Sequence, residues 1–258
     1  MRKDTVELLQ EAARLGYSDI SVVTNGMLIG HHIDALAAIK GLKLHVSIDG
    51  PEEVHDALRG DGSYRVALDG ARLAANAGIP VSLKGVLMRP TLDSAGHLLD
   101  LARSLGLTRV SYQPFQPEIA GPDEDHGPWI FQPGDRDRVT GALVALLDKA
   151  HLAGVRVYTE ALFPDIVPYL FNGRRPIPDG GCNLPSRFIL IDGRGETYPC
   201  FFMRGQSMGN VTRGIRLRDI WFGPIKAEMQ ARGLEGRCPG CLAGCSDVES
   251  YDAMRALA

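Results

Sequence analysis

The chain switches between two periodicities. From Asp4 to Leu15 the apolar residues fall at 6, 8, 9, 12, 13 and 15, close to helical spacing, and Gly16 stops the run. Residues 19–23 read as a strand ending at Thr24, Asn25 and Gly26, and residues 33–39 as a short helix ending at Gly41. From Leu42 to Ile48 apolar and polar residues alternate strictly. Leu42, Leu44, Val46 and Ile48 share one face of that strand; Lys43, His45, Ser47 and Asp49 share the other. A helix over about 63–77, a strand over 81–88, a helix over 92–105 and a strand over 109–112 follow. Strands and helices alternating at this spacing predict βαβ units, a parallel sheet and right-handed crossovers.

Between Gln113 and Pro133 the pattern breaks. Pro114, Pro117, Pro122, Pro128 and Pro133 make this stretch a long loop, either a functional lid or a solvated connector. An amphipathic helix over 139–150, a strand over 155–158 and a helix over 161–171, interrupted at Pro164 and Pro168, come next. The Gly/Pro-rich stretch 172–181 reads as a boundary, dividing the chain into domains 1–172 and 173–258. Beyond it, two strand-like runs, 188–191 and 196–198, flank Asp192, Gly193, Arg194 and Gly195 and predict a β-hairpin. A helix around 217–232 precedes the last cysteines.

Composition narrows the function classes. The 258 residues suffice for one large domain or two small ones, and 45% hydrophobic with 23% charged residues is ordinary for a globular protein. A net charge of −3 leaves no footprint for nucleic acid. No apolar run approaches a membrane span, and the polar helical start is not a secretory signal, so no membrane partner and a cytoplasmic location are expected.

The candidate chemistry is in the cysteines and the strand ends. All five cysteines, Cys182, Cys200, Cys238, Cys241 and Cys245, lie in the second domain. The hairpin brings its flanking Cys182 and Cys200 toward one another, and Cys238 and Cys241 form a Cys-x2-Cys turn. Four converging soft ligands suit Zn²⁺ or an iron–sulfur cluster, and outside an oxidising compartment such clusters are more often metal sites than disulfides. In parallel α/β folds, ligands bind at the carboxyl ends of strands. Here those ends carry Asn25, Ser47, Asp49, Met88, Arg89 and Gln113. His45 alone reads as a core histidine, and Asn25–Gly26 and Asp49–Gly50 also fit plain turns. Lys84, on the polar face of the next strand, needs hydrogen bonds, water or a ligand to offset its burial.

These residues match a known pattern. Val23–Gly26, Val46–Pro51 followed by His55, Asp56, Arg59 and Gly60, Gly209–Asn210 and Asp219–Trp221 resemble the radical S-adenosylmethionine (SAM) proteins with a C-terminal SPASM or twitch domain. The spacing of Cys182, Gly195 and Cys200, continued by Cys238 and Cys241, resembles that domain's opening pattern. The resemblance implies an α/β fold, an incomplete parallel (β/α)6 partial TIM barrel followed by a small hairpin-containing cysteine-rich domain. It implies SAM cleavage by a 4Fe–4S cluster, with a 5′-deoxyadenosyl radical acting on a peptide or small molecule and electrons from a flavodoxin or ferredoxin. Ser47 then lies at the SAM ribose, and Asn25 faces the same cavity. Five cysteines where full SPASM domains have seven imply one auxiliary 4Fe–4S cluster on Cys182, Cys200, Cys238 and Cys241, with Cys245 the spare. Phe201 stands where the sulfatase-maturing branch has an Asp. The Cys-x3-Cys-x2-Cys that holds the SAM-binding cluster and the Gly-Gly-Glu-Pro segment are absent from the sequence. The chain therefore reads as starting after the first two barrel strands. It is expected to expose an apolar sheet edge at 19–23, to self-associate through it, and not to cleave SAM alone. The competing function is a non-catalytic zinc- or cluster-binding protein on a half-barrel scaffold.

Overall fold

The structure is a computed structural model that describes residues 4–117, 125–159, 163–172, 181–205, 207–237 and 242. The chain divides into two compact units, residues 1–115 with 127–160, and residues 116–126 with 161–258. The sequence places the division at 172; here residues 163–172 go with the second unit.

In the first unit, α1 (Thr5–Arg14), β1 (Ile20–Thr24), α2 (Ile33–Ala37), β2 (Leu42–Ser47), α3 (Glu52–Arg59), α4 (Ser63–Asn76), β3 (Val81–Leu87), α5 (His97–Ser104), β4 (Arg109–Pro114), α6 (Arg136–Ala153) and β5 (Arg156–Val157) follow in order. The five strands form one sheet in sequence order, and every pairing is parallel. This is the parallel sheet that the alternating periodicities predict and the partial (β/α) barrel that the resemblance implies. One face of the sheet is apolar: Leu44, Val46, Leu83, Val110 and Tyr112 are at most 2% exposed. They pack under α4 and α5, whose inward positions are Ala67, Ala71, Ala74, Leu98, Leu99 and Ala102.

Small residues on α4 set how closely it approaches the sheet. Gly26 has φ +84°, and a Cβ there would lie 2.9 Å from Ala67 Cα. A Cβ on Gly70 would lie 2.6 Å from the carbonyl oxygen of Gly26. The turn after β1 is thus wedged against α4, which fixes the level of Asn25. Gly70→Ala gains about 1 kcal/mol of helix propensity but drives a methyl into backbone that cannot yield. The net effect expected in urea denaturation is a loss of about 1–3 kcal/mol; a stabilised variant would show that the wedge is not rigid.

Several elements differ from the sequence expectation. Helix α3 is not anticipated, although Pro51 before it, Glu52 and Glu53 in its first turn, and Arg59 and Gly60 at its end are standard boundary signals. The helix expected over 92–105 is a 3-10 turn (Leu92–Ser94) followed by α5, which begins only after Gly96. β4 runs on to Pro114, which pairs with Leu87 at the strand's last position, where a missing N–H is tolerated. β5 has only two residues.

In the second unit are α7 (Phe163–Asn172), α8 (Leu184–Arg187), β6 (Leu190–Ile191), β7 (Glu196–Tyr198), β8 (Gly209–Asn210), α9 (Leu217–Trp221) and α10 (Pro224–Leu234). α7 is not interrupted: Pro164 sits in its first turn, and the helix continues through Pro168 with one backbone bond forfeited. The helix expected over 217–232 is two, broken at Phe222 and Gly223, with Pro224 opening the second. The hairpin forms as expected, Leu190 opposite Tyr198 and Ile191 opposite Thr197, and β8 adds a third antiparallel strand.

Candidate functional site

The polar face of the sheet follows from the register. Thr24 pairs with Val46, so Asn25 and Ser47 each stand one residue past the same rung at the carboxyl ends of neighbouring strands. Ser47 pairs with Lys84, and Lys84 with Ser111, placing three polar side chains at one level across β2, β3 and β4. One level toward the strand starts, His45 pairs with Ser82, and His45 Nδ1 lies 2.6 Å from Ser82 Oγ. The Lys84 ammonium has no hydrogen-bond or ion-pair partner among the described residues, and burial depresses its pKa. His45 is likewise depressed, by burial and then by Lys84. Ser47 is 9% exposed, and its hydroxyl has no partner among the described residues. Asn25 is exposed, and its Oδ1 accepts the Met27 N–H at 3.2 Å. Its carbonyl oxygen is therefore committed to the turn, and the amide nitrogen is what it can offer a ligand.

The adjoining motif has a structural job that sequence reasoning did not find. Asp49 is buried. Its Oδ2 accepts from Arg59 Nε at 2.5 Å, its Oδ1 accepts the Val86 N–H at 3.0 Å, and its own N–H donates to His55 Nδ1 at 3.1 Å. Asp56 accepts from the backbone N–H groups of Gly62 and Tyr64, anchoring the start of α4. Asp49, His55, Asp56 and Arg59 thus staple the ends of β2 and β3 to α3 and α4, and hold Ser47 in place two residues upstream. Only a His55 Nδ1 carrying a lone pair can accept the Asp49 N–H, which requires the neutral ring in its Nε2–H tautomer.

Burial holds His45, His55 and His97 below the ordinary histidine pKa. In the unfolded chain they titrate near 6.5, so as pH falls the unfolded state takes up protons first. Stability from these groups is full above about pH 6.5 and is lost as pH falls through their lower folded values. The urea midpoint should therefore be lower at pH 5.5 than at pH 7.5, with His55→Gln reducing the difference. Equal midpoints would contradict the buried neutral histidines.

In the second unit, Cys182 and Cys200 are both buried and flank the hairpin. The Cys182 N–H donates to the Gly233 carbonyl at the end of α10 at 2.8 Å, and a Cβ on Gly233 would lie 2.5 Å from the Cys182 carbonyl oxygen. Only glycine lets α10 come this close. Cys238, Cys241 and Cys245 lie outside the described residues. Asn210 caps Thr212 and donates to Glu196 Oε1 at 2.8 Å and to the Arg194 carbonyl at 3.1 Å, locking the hairpin turn. Gly209 lies against Ile220, where a Cβ would approach the Ile220 side chain to 3.2 Å. The Gly–Asn and Ile–Trp motifs are thus packing partners within one small unit. The chemistry of the donor set fits a metal–thiolate group: Cys182 and Cys200 are buried thiols, and the buried Lys226 ammonium would supply positive charge to a thiolate at Cys200.

A parallel β/α sheet with polar groups at its strand ends, followed in the chain by a hairpin unit flanked by buried cysteines, has the form of a partial barrel with an appended cysteine-bearing domain. Residues 1–102 match the radical SAM superfamily, and residues 182–245 match the SPASM iron–sulfur cluster-binding domain. The chain is a radical SAM protein with a C-terminal SPASM domain. It is 24% identical over 204 residues to a probable GTP 3′,8-cyclase of Saccharolobus solfataricus, covering 76% of this chain and 63% of that protein. It is 28% identical over 270 aligned positions to the mycofactocin maturase MftC of Mycobacterium tuberculosis, covering 98% of this chain and 65% of that one. The chain thus spans less than two thirds of the length of either relative. In fold it is similar to Streptococcus suis SuiB (TM-score 0.65, 18% identity, 93% of this chain and 59% of SuiB). It is also similar to anSMEcpe with bound AdoMet and Cp18Cys peptide (TM-score 0.64, 16% identity, 88% and 65%). Among the described residues no helix is long and apolar enough to cross a membrane.

Proposed function

We propose that this chain serves a SAM-dependent radical enzyme acting on a peptide or small metabolite, with SAM on the polar sheet face and an auxiliary 4Fe–4S cluster on Cys182, Cys200, Cys238 and Cys241. The observation that carries this reading is the row of Ser47, Lys84 and Ser111 at one level across three strands, with Lys84 lacking a counter-charge among the described residues. When bound, SAM and a reduced cluster would supply hydrogen-atom abstraction from the substrate. This chain's residues do the holding: Ser47 offers a hydroxyl to the ribose, the Asn25 amide faces the same ligand, and Lys84 balances a carboxylate or phosphate. A peptide substrate is supported by the peptide-bound structures of SuiB with its precursor SuiA and of anSMEcpe; a small metabolite is supported by the cyclase relative. Electrons would come from a flavodoxin or ferredoxin.

Residues 1–181 contain no cysteine, so they offer no thiolate set for a second cluster. Reconstituted with iron and sulfide and reduced with dithionite, this chain is expected to yield no 5′-deoxyadenosine from SAM. Fusion to a segment carrying Cys-x3-Cys-x2-Cys and Gly-Gly-Glu-Pro should restore it. In that fusion Ser47→Ala should weaken SAM binding by about 1 kcal/mol, the scale of one hydrogen bond. Deoxyadenosine from the unextended chain would overturn the ligand argument. That same lack of cysteines favours a second reading, a non-catalytic zinc- or cluster-binding protein; zinc with no iron in anaerobically purified chain would select it.

A further inference from the structure

Lys226 is the one buried charge of the second unit, among the described residues, that no carboxylate answers. It is 0% exposed, on the first turns of α10. Its Nζ donates to the Phe188 carbonyl at 2.5 Å and lies 4.1 Å from the centre of the Trp221 ring. Phe188 opens the hairpin, and its ring packs at 5.2 Å on that of Phe201, the residue directly after Cys200. Lys226 therefore reaches the base of the hairpin where Cys200 is buried. Several described carboxylates of this unit are taken up elsewhere: Asp192 by the Arg194 and Glu196 N–H groups, Glu196 by Asn210, Ser207 and Arg213, Asp219 by Arg216, and Glu235 by Arg237.

An ammonium has three donors, and one carbonyl with one aromatic face does not offset its desolvation. Burying a cation this way is costly unless an opposite charge stands nearby. Cys200 lies at the base of that hairpin, and as a thiolate it would oppose the downward pull of burial on the lysine pKa. A packing role alone would be filled better by methionine, since replacing buried charge with apolar volume is often neutral or stabilising.

We propose that Lys226 is the built-in counter-cation of the metal–thiolate centre that contains Cys200, and that its fixed positive charge favours the more negative, reduced form of that centre. The proposal rests on the cluster reading above for its redox part; the charge pairing itself holds for any metal the thiolates bind. Charge and hydrogen bonding near the sulfurs are among the levers that set a cluster's potential. Lys226 is a positioning and tuning residue and need not touch substrate.

The test compares Lys226→Gln, which can keep the bond to the Phe188 carbonyl without the charge, with Lys226→Arg, which keeps the charge. Full-length chains are reconstituted anaerobically, folding is checked by circular dichroism, iron is counted, and the midpoint potential is read by EPR during a redox titration. For Lys226→Gln the reduced-to-oxidised ratio at fixed potential should fall about tenfold, about 59 mV for one electron, while Lys226→Arg stays near wild type. A folded Lys226→Gln chain that retains no metal, beside a loaded Lys226→Arg chain, supports the proposal equally. An unchanged midpoint in Lys226→Gln, or an equal shift or metal loss in both variants, overturns it. If Lys226→Gln does not fold, Lys226→Met is judged by the same criteria, and failure of that chain to fold too assigns Lys226 a structural role and overturns the proposal. If the wild-type chain takes zinc and no iron, the cluster reading fails, and the variants are compared by zinc affinity: tenfold weaker in Lys226→Gln and unchanged in Lys226→Arg is expected, and equal affinities overturn the pairing. A wild-type chain that binds neither metal overturns both.

Discussion

Cys200→Ala should strip the metal from the chain. On the proposed ligand set, wild-type protein purified without oxygen carries about four irons per chain, and removing one of four thiolates leaves one coordination position open. Neither Lys226 nor the Phe201 ring that follows Cys200 in the chain can replace a thiolate. The variant should therefore be colourless, with iron near background. Cys245→Ala, as the expected spare, should keep its iron and brown colour. Folding need not follow the metal. β7 is held by its own ladder and by the bonds of Asn210 and Asp192, none of which involves Cys200. Circular dichroism at low temperature should thus change little while iron is lost. Full iron retention in Cys200→Ala would refute its place among the ligands, and retention in all five single variants would move the metal off the cysteines altogether.

What the sequence disclosed and what it hid have a common physical basis. The sheet was legible because β2 alternates strictly and β3 and β4 alternate over most of their length, and a period of two leaves each strand one possible inward face. The parallel pairing was legible because helices separate the strands. Helix boundaries were less so: α3 and the break between α9 and α10 were passed over, although their Pro, Gly and charge signals stand in the chain, because neither segment is long enough to show a sustained period. At the candidate site, the placement of Asn25 and Ser47 at neighbouring strand ends follows from strand order and register. The role of Asp49 does not, since it depends on Arg59 ten residues on and Val86 on another strand. Lys226 was illegible for the same reason: a lysine in a short helix reads as solvated, and only the packing of Trp221 and the hairpin against it reveals its burial.

Asp49→Ala should cost the first unit about 3 kcal/mol. The carboxylate is 1% exposed and serves two partners, the Arg59 guanidinium and the Val86 N–H. Removing it strands the Val86 donor in the sheet, worth about 1–3 kcal/mol, and ends a charge-assisted bond worth about 1.5–3 kcal/mol. The Arg59 side chain is 35% exposed and recovers part of its loss from water, which keeps the total at the low end of the roughly 3–5 kcal/mol typical of breaking a fully buried pair. Asp49→Asn separates the two contributions: its carbonyl oxygen can still accept from Val86, so about half the loss is expected, on the scale of the charge-assisted bond alone. For a unit of this size 3 kcal/mol lowers the thermal midpoint by about 6–12 °C. The consequence reaches the site, because Ser47 is held at its level by the same staple. In the fusion that restores SAM cleavage, Asp49→Ala should weaken SAM binding by more than Ser47→Ala does, and Asp49→Asn by an intermediate amount. Matching stability for wild type and Asp49→Ala in urea denaturation would mean that the staple carries no strain-free load of its own, and SAM affinity unchanged in a destabilised Asp49→Ala would detach the staple from the ligand row.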